Sequence, residues 1–296
     1  MKKLVPVLSV LLFGAFLLLR PEAAAGAVRG GLELCWRTVI PSLFPFFVVT
    51  SLLLQLGFAG ILQGLAAPFM GPMFRLRGVC AMPLAAGLLG GYPTGAKTAA
   101  DLWREGLLTR QEAELLLGFC NNCGPAFLLG YVGGVLGSPR AGVWLYLIHT
   151  ASALLTGMLL CRLCRDRGPA MLPCRLPRQT VSLPSALTGA VTGSFASTLN
   201  ICAFVVLFRV LAALLPPELP AWCLGILEMV SGVAALTPGR AGLAAAAAIV
   251  GWGGLSVHCQ TMSVAGELSL RWHWAGKLLQ AGLSAALALA AAGHIL

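Results

Sequence analysis

Long apolar runs with very few charges between them constrain this chain more than any other feature. Of its 296 residues, 58% are hydrophobic and 10% are charged, whereas soluble domains carry about 25% charged residues. So few charges cannot form a water-exposed shell, and lipid must therefore cover most of the surface. We predict an all-α, polytopic helical membrane protein with a single membrane domain, residues 1–296.

The basic residues give the chain a formal net charge of +10. In a membrane protein, basic residues collect in cytoplasmic loops and fix the orientation, so we predict no nucleic acid partner. Two lysines precede the first short apolar run, residues 4–19, and Arg20, Pro21 and Glu22 separate this run from the small residues that follow. This pattern favours an uncleaved first span over a signal peptide. We predict a multi-pass protein of the cell membrane with a cytoplasmic N-terminus.

The length of the apolar runs divides the chain into full spans and broken segments, because about 20 apolar residues are needed to cross a bilayer. Residues 22–40 mix charged and apolar positions at helical spacing and predict a helix at the membrane interface, and residues 183–197 are weakly amphipathic. The predicted spans are residues 4–19, 41–62, 141–161, 198–215 and 274–295. The apolar segments that Gly, Pro or polar residues interrupt are 79–100, 115–137, 220–237 and 240–266.

The stretch "LLGGYPTGAKTAADLW", residues 88–103, is too polar for an ordinary span and too apolar around its centre for a soluble loop. If residues 79–100 crossed the membrane, the charged loop 101–114 and a later loop with five arginines would both lie outside. If residues 79–100 instead enter the membrane and return to the same side, both loops lie inside, as the positive-inside rule requires. The sequence therefore predicts a re-entrant hairpin, with an irregular tip that is buried in protein or lines a cavity.

The positive-inside rule, applied in the same way to the second half, predicts a second re-entrant hairpin, residues 220–237, on the outside. The halves 22–161 and 183–296 then form an inverted repeat, each with one re-entrant hairpin and one broken helix. An offset of 137 residues carries Thr94-Gly95 onto Ser231-Gly232, and Asn121-Asn122 onto His258-Cys259. Paired broken segments in two inverted halves indicate the binding site of a transporter.

These broken segments offer the groups that bind a small solute. Free N–H groups at the starts of half-helices favour carboxylates, small residues allow close approach to the backbone, and hydroxyls and amides add hydrogen bonds. The predicted substrate-binding residues are Tyr92, Thr94, Gly95, Lys97, Asn121, Asn122, Gly124, Glu228, Ser231, Gly232, His258, Gln260 and Thr261.

Three ionisable residues of this set each allow two interpretations. Lys97 is either a cation for an anionic substrate or a side chain that reaches toward the interface. Glu228, the only acid in a long apolar stretch, either binds a coupling proton, a cation or the substrate, or is paired with backbone donors or a buried arginine such as Arg209. His258 is either a proton relay or a hydrogen-bonded histidine of the core.

The apolar segments carry no enzyme motif, since Gly-x-Ser-x-Gly, His-Glu-x-x-His and the phosphate-loop spacing are all absent. Cys120 and Cys123 have redox or metal spacing, but no further ligands follow at a related spacing. We predict no enzyme activity, no catalytic residue, no metal and no cofactor.

The motifs resemble a known family. Residues 87–137, from "GLLGGYPTGAK" through "CNNCGP", with "PSLFPFFV" at 41–48 and "EMVSG" at 228–232, resemble the sporulation integral membrane protein YlbJ (SpoVV) family, in the nucleoside-recognition Gate domain group. The resemblance implies an architecture like that of concentrative nucleoside transporters. The motif positions it carries over are Gly91, Tyr92, Pro93, Gly95, Lys97, Cys120, Asn121, Asn122, Gly124 and Pro125.

The family resemblance implies export of dipicolinic acid, a small planar dianion, from the mother cell across the outer forespore membrane during endospore formation. This agrees with the anion-binding groups of the broken segments. The partners we expect are a small anionic substrate and the lipid bilayer, with a homo-oligomer and other sporulation membrane proteins as candidates. The alternatives are a transporter of nucleosides or another metabolite, and a non-transporting scaffold or gating subunit of a sporulation membrane complex.

Overall fold

The computed structural model describes residues 4–56, 58–164, 182–215 and 220–295, and every regular element in these ranges is a helix. This confirms the predicted all-α class. The helices of the first half are α1 (Leu4–Leu19), α2 (Pro21–Leu34), α3 (Ile40–Gln55), α4 (Phe58–Phe69), α5 (Ala81–Gly90), α6 (Thr94–Arg104), α7 (Arg110–Leu117), α8 (Gly133–Val135) and α9 (Pro139–Leu163). Those of the second half are α10 (Leu183–Ala212), α11 (Ala221–Leu227), α12 (Met229–Ala234), α13 (Arg240–Trp252), α14 (Gly254–Ala265) and α15 (Arg271–Ile295).

Several helical segments are long and apolar enough to cross a bilayer, which confirms a polytopic membrane protein. Four pass this test alone: Pro139–Leu163, Leu183–Ala212, Arg240–Ala265 and Arg271–Ile295. Two bent pairs pass it together: Val10–Leu19 with Pro21–Val39, bent by 101°, and Gly64–Phe74 with Gly78–Gly90, bent by 108°. The described part of the chain therefore has four to six candidate spans.

The first predicted hairpin is present, because α5 and α6 pack against each other and residues 91–93 join them. Gly87 and Gly95 face each other across this hairpin, and a Cβ on either would overlap the carbonyl oxygen of Cys120. Gly91 has a φ of 74°, a conformation that glycine adopts without steric cost. The glycines thus allow two helices and a third segment to meet at one point.

The second predicted hairpin consists of α11 and α12, with Glu228 at its tip. Gly232 lies so close to Gly225 that a Cβ on Gly232 would overlap the Gly225 backbone. The tips at Gly91 and Glu228 are separated by the offset of 137 residues that the sequence suggests. The boundaries of the two repeats stay a prediction.

Hydrogen bonds bring three segments together at one end of the bundle. Arg110 Nη2 donates to the Glu267 carbonyl at 2.6 Å, and Gln111 Nε2 donates to Cys164 Sγ at 3.4 Å. The start of α7, the end of α9 and the loop after α14 therefore lie at the same end, which is also the base of the first hairpin. Because α13 and α14 together cross the bundle, the second hairpin, which precedes Arg240, has its base at the opposite end. The two hairpins enter from opposite ends, as an inverted repeat requires.

Residues 22–40 do not form a separate interfacial helix. α2 continues through a π-helical segment into α3, and this long helix packs antiparallel along α10. A Cβ on Gly31 would lie 3.1 Å from Val206, and one on Gly189 would lie 2.8 Å from the Gln55 Oε1 atom. The periodic apolar positions that suggested a helix at the membrane interface instead belong to a helix–helix contact.

The second half also begins with one long helix, since the predicted stretch 183–197 and most of the span 198–215 are joined in the 30 residues of α10. Most of the basic loop with five arginines lies outside the described residues, as does most of the turn "PPELP" at 216–220.

Both predicted broken helices are interrupted. The chain is irregular over residues 118–124, which include the motif Cys-Asn-Asn-Cys, as predicted. The other break differs from the prediction, because it lies at Gly253, where φ is 88°, and residues 258–261 lie inside α14. The adjacent Gly254 has a φ of 77°, so two successive left-handed glycines, rather than the polar residues, interrupt this helix.

Candidate functional site

An open cleft lies where the two hairpin tips meet, and we call it the tip cleft. Tyr92 of the first tip and Glu228 of the second tip both line it. Its empty volume is about 550 Å³, a figure that includes open solvent at the mouth. The other lining residues are mainly apolar: Leu43, Phe47, Leu89, Gly91, Cys123, Gly124, Ala126, Phe127, Ile201, Val205, Met229, Val230, Ser256, Val257 and Gln260. Tyr92, Gly124, Glu228 and Gln260 are thus predicted residues that line one cleft.

The irregular segment 118–124 is held by its own amides and by the second half of the chain. Asn121 Nδ2 donates to Thr261 Oγ1 at 2.7 Å, and Asn122 Nδ2 donates to the Phe119 carbonyl at 2.7 Å. These side chains are all buried. A polar group that lost its hydrogen bond there would be costly, so these bonds hold the segment in place. The structure therefore brings Asn121 and Thr261 together, although in the cleft wall rather than at its surface.

Lys277 on α15 is a buried charge next to the tip cleft that the sequence analysis missed. Its side chain is fully buried, and Nζ donates to the Asn121 carbonyl, to Gln280 Oε1 at 2.8 Å and to the Tyr92 hydroxyl at 3.3 Å. Gln280 Nε2 in turn donates to Asn122 Oδ1 at 2.9 Å. A lone lysine in an apolar run was a signal available from the sequence. Lys277 joins the first tip, the irregular segment and the last span.

His149 on α9 is a second buried residue that the sequence analysis missed. Its Nε2 atom accepts a hydrogen bond from the Cys123 backbone N–H at 3.0 Å, so the imidazole must be neutral at that nitrogen. This interaction holds the end of the irregular segment against α9.

The structure separates Lys97 from the cleft. Its side chain is 63% exposed and forms an ion pair with Asp101 at 2.5 Å, one helical turn later on α6. The buried positions of α6 are Gly95, Ala96 and Ala99, so helical phase turns Lys97 to the other side. The geometry favours the interpretation of Lys97 as a side chain near the interface.

Glu228 is buried at the second tip and caps the helix that follows it. Its Oε1 accepts from the Val230 N–H at 2.8 Å and its Oε2 accepts from the Ser231 N–H at 2.6 Å. The sequence offered Glu228 either as a binding group or as a carboxylate paired with structural donors. These contacts correspond to pairing with backbone donors. Arg209 instead donates to the Gly30 carbonyl, at 3.5 Å.

His258 is buried in α14 and belongs to a chain of two histidines. Its Nδ1 lies 2.8 Å from His273 Nε2, and His273 Nδ1 lies 3.1 Å from the Leu117 carbonyl. Because the carbonyl can only accept, His273 Nδ1 donates to it, and neutral His273 then accepts from His258 Nδ1. The remaining His258 nitrogen, Nε2, is buried without a partner among the described residues. Trp252 and Trp274 cover the His258 ring, each with its centroid 4.3 Å away.

The small and hydroxyl residues of the tips have mostly structural contacts. Thr94 Oγ1 donates to the Gly90 carbonyl at 3.4 Å within the first hairpin, while Gly95 and Gly232 close the two hairpins. Two polar atoms near the cleft, Ser231 Oγ and Gln260 Oε1, are buried without a partner in the described part of the chain. They are available to a solute or to water.

Each hairpin tip is tied to the other half of the chain by a tyrosine. Tyr92 of the first tip donates its hydroxyl to the Val250 carbonyl of α13 at 3.1 Å. Tyr131, which follows the irregular segment of the first half, donates to the Val230 carbonyl at the second tip, at 3.0 Å. The tip cleft is therefore assembled from both halves, and neither half forms it alone.

Comparison with known proteins agrees with the resemblance predicted from the motifs. Residues 36–138 match the family model Gate, described as nucleoside recognition. The chain is also 32% identical over 217 residues to the sporulation integral membrane protein YlbJ of Bacillus subtilis strain 168, which covers 66% of this chain and 52% of that protein. The chain thus spans about half the length of the curated relative that it matches. No solved structure matches it significantly.

Proposed function

We propose that this chain, a multi-pass membrane protein that carries a Gate segment and resembles a sporulation protein, is a transporter that binds a small planar solute in the tip cleft. The observation that carries the proposal is the pair of hairpins, which enter from opposite ends and meet at one cleft. Movement of one tip would open such a cleft to one side only, which is the requirement of alternating access. The protein is then a carrier and not an enzyme.

We propose dipicolinic acid as the cargo, exported from the mother cell across the outer forespore membrane, with the N-terminus in the cytoplasm. The apolar walls of the cleft, among them Phe47, Phe127 and Val257, suit the faces of an aromatic ring. Ser256 and Gln260, which also line the cleft, can donate to carboxylates at the ring edge. The similarity to a sporulation protein fits the role in endospore formation that the motif resemblance implies.

A nucleoside is the second candidate cargo, and two observations favour it. The matching family model is described as nucleoside recognition. Glu228 lines the cleft, and a carboxylate repels a dianion but accepts hydrogen bonds from a neutral nucleoside. A non-transporting scaffold of a sporulation complex is the remaining alternative, and it predicts that neither solute binds.

The test is equilibrium binding of radiolabelled dipicolinate to the purified protein, with uridine as competitor. Ile201, which lines the cleft from α10, is replaced in Ile201→Trp to fill the cleft without touching the hairpin tips. Leu199→Trp is the matched control, because Leu199 lies on the same helix and is 47% exposed. We expect saturable binding that Ile201→Trp weakens by more than about tenfold and Leu199→Trp leaves unchanged.

Other results of this assay would change the proposal. Displacement of dipicolinate by low uridine concentrations, or binding of uridine alone, would support the nucleoside alternative. Absence of binding of both solutes to a folded protein would contradict transport through this cleft and favour the scaffold.

A further inference from the structure

Lys277 is the buried group whose presence the architecture alone does not explain. It lies within a span, its side chain is fully buried, and among the described residues no carboxylate forms an ion pair with it. Its three donors are used by the Asn121 carbonyl, Gln280 Oε1 and the Tyr92 hydroxyl. A neutral amide could also donate to nearby oxygens, without burying a charge in the membrane. Hydrogen bonding alone therefore does not explain why the positive charge of Lys277 is buried here.

The ammonium of Lys277 lies directly behind the wall of the tip cleft. Nζ is 5.0 Å from the centre of the Tyr92 ring, and Tyr92 lines the cleft. The carbonyl that accepts from Nζ belongs to Asn121, and Cys123 and Gly124 of the same irregular segment also line the cleft. Inside a protein, where the dielectric constant is lower than in water, a charge separated from the cleft by one side chain acts more strongly on an ion in the cleft than it would in water.

The opposite side of the cleft carries the opposite charge. Glu228 lines the cleft at the second tip, and its two carboxylate oxygens accept from the Val230 and Ser231 N–H groups. A solute in the tip cleft would thus be close to Lys277 behind the first tip and to Glu228 at the second tip. Such a field orients a charged solute and discriminates it from a neutral one.

We propose that Lys277 determines the charge class of the cargo: its ammonium, held behind Tyr92, attracts the anionic groups of the solute toward the first tip. Lys277 does not contact the solute and acts as a specificity-determining residue through the cleft wall. The proposal rests on the proposed function, since it requires that a solute binds in the tip cleft. It gives to a lysine of the last span the role of substrate cation, which was one of the two interpretations of Lys97 from the sequence.

The experiment compares dipicolinate with its uncharged diamide, pyridine-2,6-dicarboxamide, which has the same shape. Lys277→Met removes the charge and keeps the length of the side chain. We expect this change to weaken dipicolinate binding by about tenfold or more and to change diamide binding by less than about twofold. Arg271→Met, which removes an exposed positive charge from the same helix, is the matched control and should change neither.

A loss of charge at the other tip should act in the reverse direction. Glu228→Gln keeps an oxygen that can accept from the α12 backbone but removes the negative charge. We expect it to strengthen dipicolinate binding by about threefold. If Lys277→Met does not fold, Lys277→Gln, which removes the charge and keeps a hydrogen-bond donor, gives the same comparison of dipicolinate with the diamide.

Several outcomes would overturn the proposal. If Lys277→Met weakens both solutes equally, Lys277 is only structural. If Lys97→Met, and not Lys277→Met, removes the preference for dipicolinate, the charge acts from α6. If the wild-type protein binds both solutes equally well, no charge selection exists, although binding in the cleft stands. If the wild-type protein binds neither solute, the proposed function itself fails.

Discussion

The two hairpins have the same shape and different chemistry. Each is closed by a pair of glycines in contact, and each reaches the tip cleft from its own end of the bundle. At equivalent positions in the two tips, the first has Gly91, with Lys277 nearby on another helix, and the second has Glu228 itself. The two hairpins can therefore share a backbone closure and differ in charge at their tips, although both charged residues, Lys277 and Glu228, belong to the second half of the chain.

The hairpins also differ in how firmly they are held. Tyr92 of the first tip donates to the Val250 carbonyl and accepts from Lys277, and Tyr146 also donates to the first hairpin. The second hairpin accepts from Tyr131 at its tip and from Trp252 before the tip. The base of the first hairpin is further held by an ion pair between Arg77 and Glu112. We expect the second hairpin to move more readily than the first.

The largest expected effect comes from the glycines that close the hairpins. Gly95→Ala and Gly232→Ala each place a methyl group inside the van der Waals radius of backbone atoms, of Cys120 and Gly225 respectively. We expect each change to reduce the free energy of unfolding by about 3 kcal/mol, at the upper end for overpacking. Thermal unfolding of the purified protein in detergent measures this.

Gly130→Ala is the control for both closures, because a Cβ there would have no neighbour within 4 Å. A Gly95→Ala variant as stable as Gly130→Ala would contradict the close contact in the first hairpin. A large effect in only one hairpin would show that the two closures are not equivalent.

The tyrosines test the difference between the tips. Tyr131→Phe removes the hydrogen bond from the tyrosine hydroxyl to the Val230 carbonyl, which should cost about 1 kcal/mol of unfolding free energy. Tyr92→Phe removes the bonds to Val250 and from Lys277, and should cost about 2 kcal/mol. Thermal unfolding of the two variants, side by side, measures the difference. A greater loss in Tyr131→Phe would reverse our ranking of the hairpins.

The smallest expected effect concerns pH at the base of the first hairpin, outside the spans. Glu112 is partly buried, which acts to raise its pKa, but the hydrogen bonds from Arg77 and Thr109 dominate and hold the pKa below its usual value. A lowered pKa in the folded state adds stability above the unfolded-state pKa, and this stability is lost as pH falls through the folded-state pKa. Glu112→Gln should remove about 1 kcal/mol near neutral pH and less in acid.

The unfolding midpoint as a function of pH, from neutral to about pH 3, measures this effect in the wild type and in Glu112→Gln. Glu105→Gln is the control, because Glu105 is exposed in the turn after α6, outside the candidate spans. Parallel curves for the wild type and Glu112→Gln would contradict a role for this ion pair in acid sensitivity.

The irregular elements of the fold could be predicted where glycine and proline mark them. The tip at residues 91–93 and the irregular segment 118–124 lie where the sequence indicated, because neither Gly-Gly-Tyr-Pro nor Asn-Cys-Gly-Pro continues a helix well. The break at Gly253 was not predicted, although two successive glycines mark it, because the break was expected at the polar residues 258–261. Those residues are satisfied inside α14, where Thr261 meets Asn121.

The site could be predicted only in part, because position along the chain does not give helical phase or long-range neighbours. Lys97 follows the first tip directly but points away from it, as the alternation of Ala96 and Ala99 with Lys97 and Asp101 on α6 indicates. Lys277 lies 185 residues from Tyr92 in the sequence, and only the packing of α15 brings it there. The rule that a lone membrane charge marks a functional position, which found Glu228, applied equally to Lys277.

The wall that α3 and α10 give to the tip cleft has a consequence for the lipid. This wall consists of apolar side chains, Leu43, Phe47, Ile201 and Val205, and apolar groups gain little from protein contact compared with acyl chains. Separation of this wall from the hairpins would exchange protein contacts for lipid contacts of similar energy. If the cleft carries a solute as we propose, the bilayer takes part in its opening, and the rate of solute passage should change with acyl-chain order and bilayer thickness.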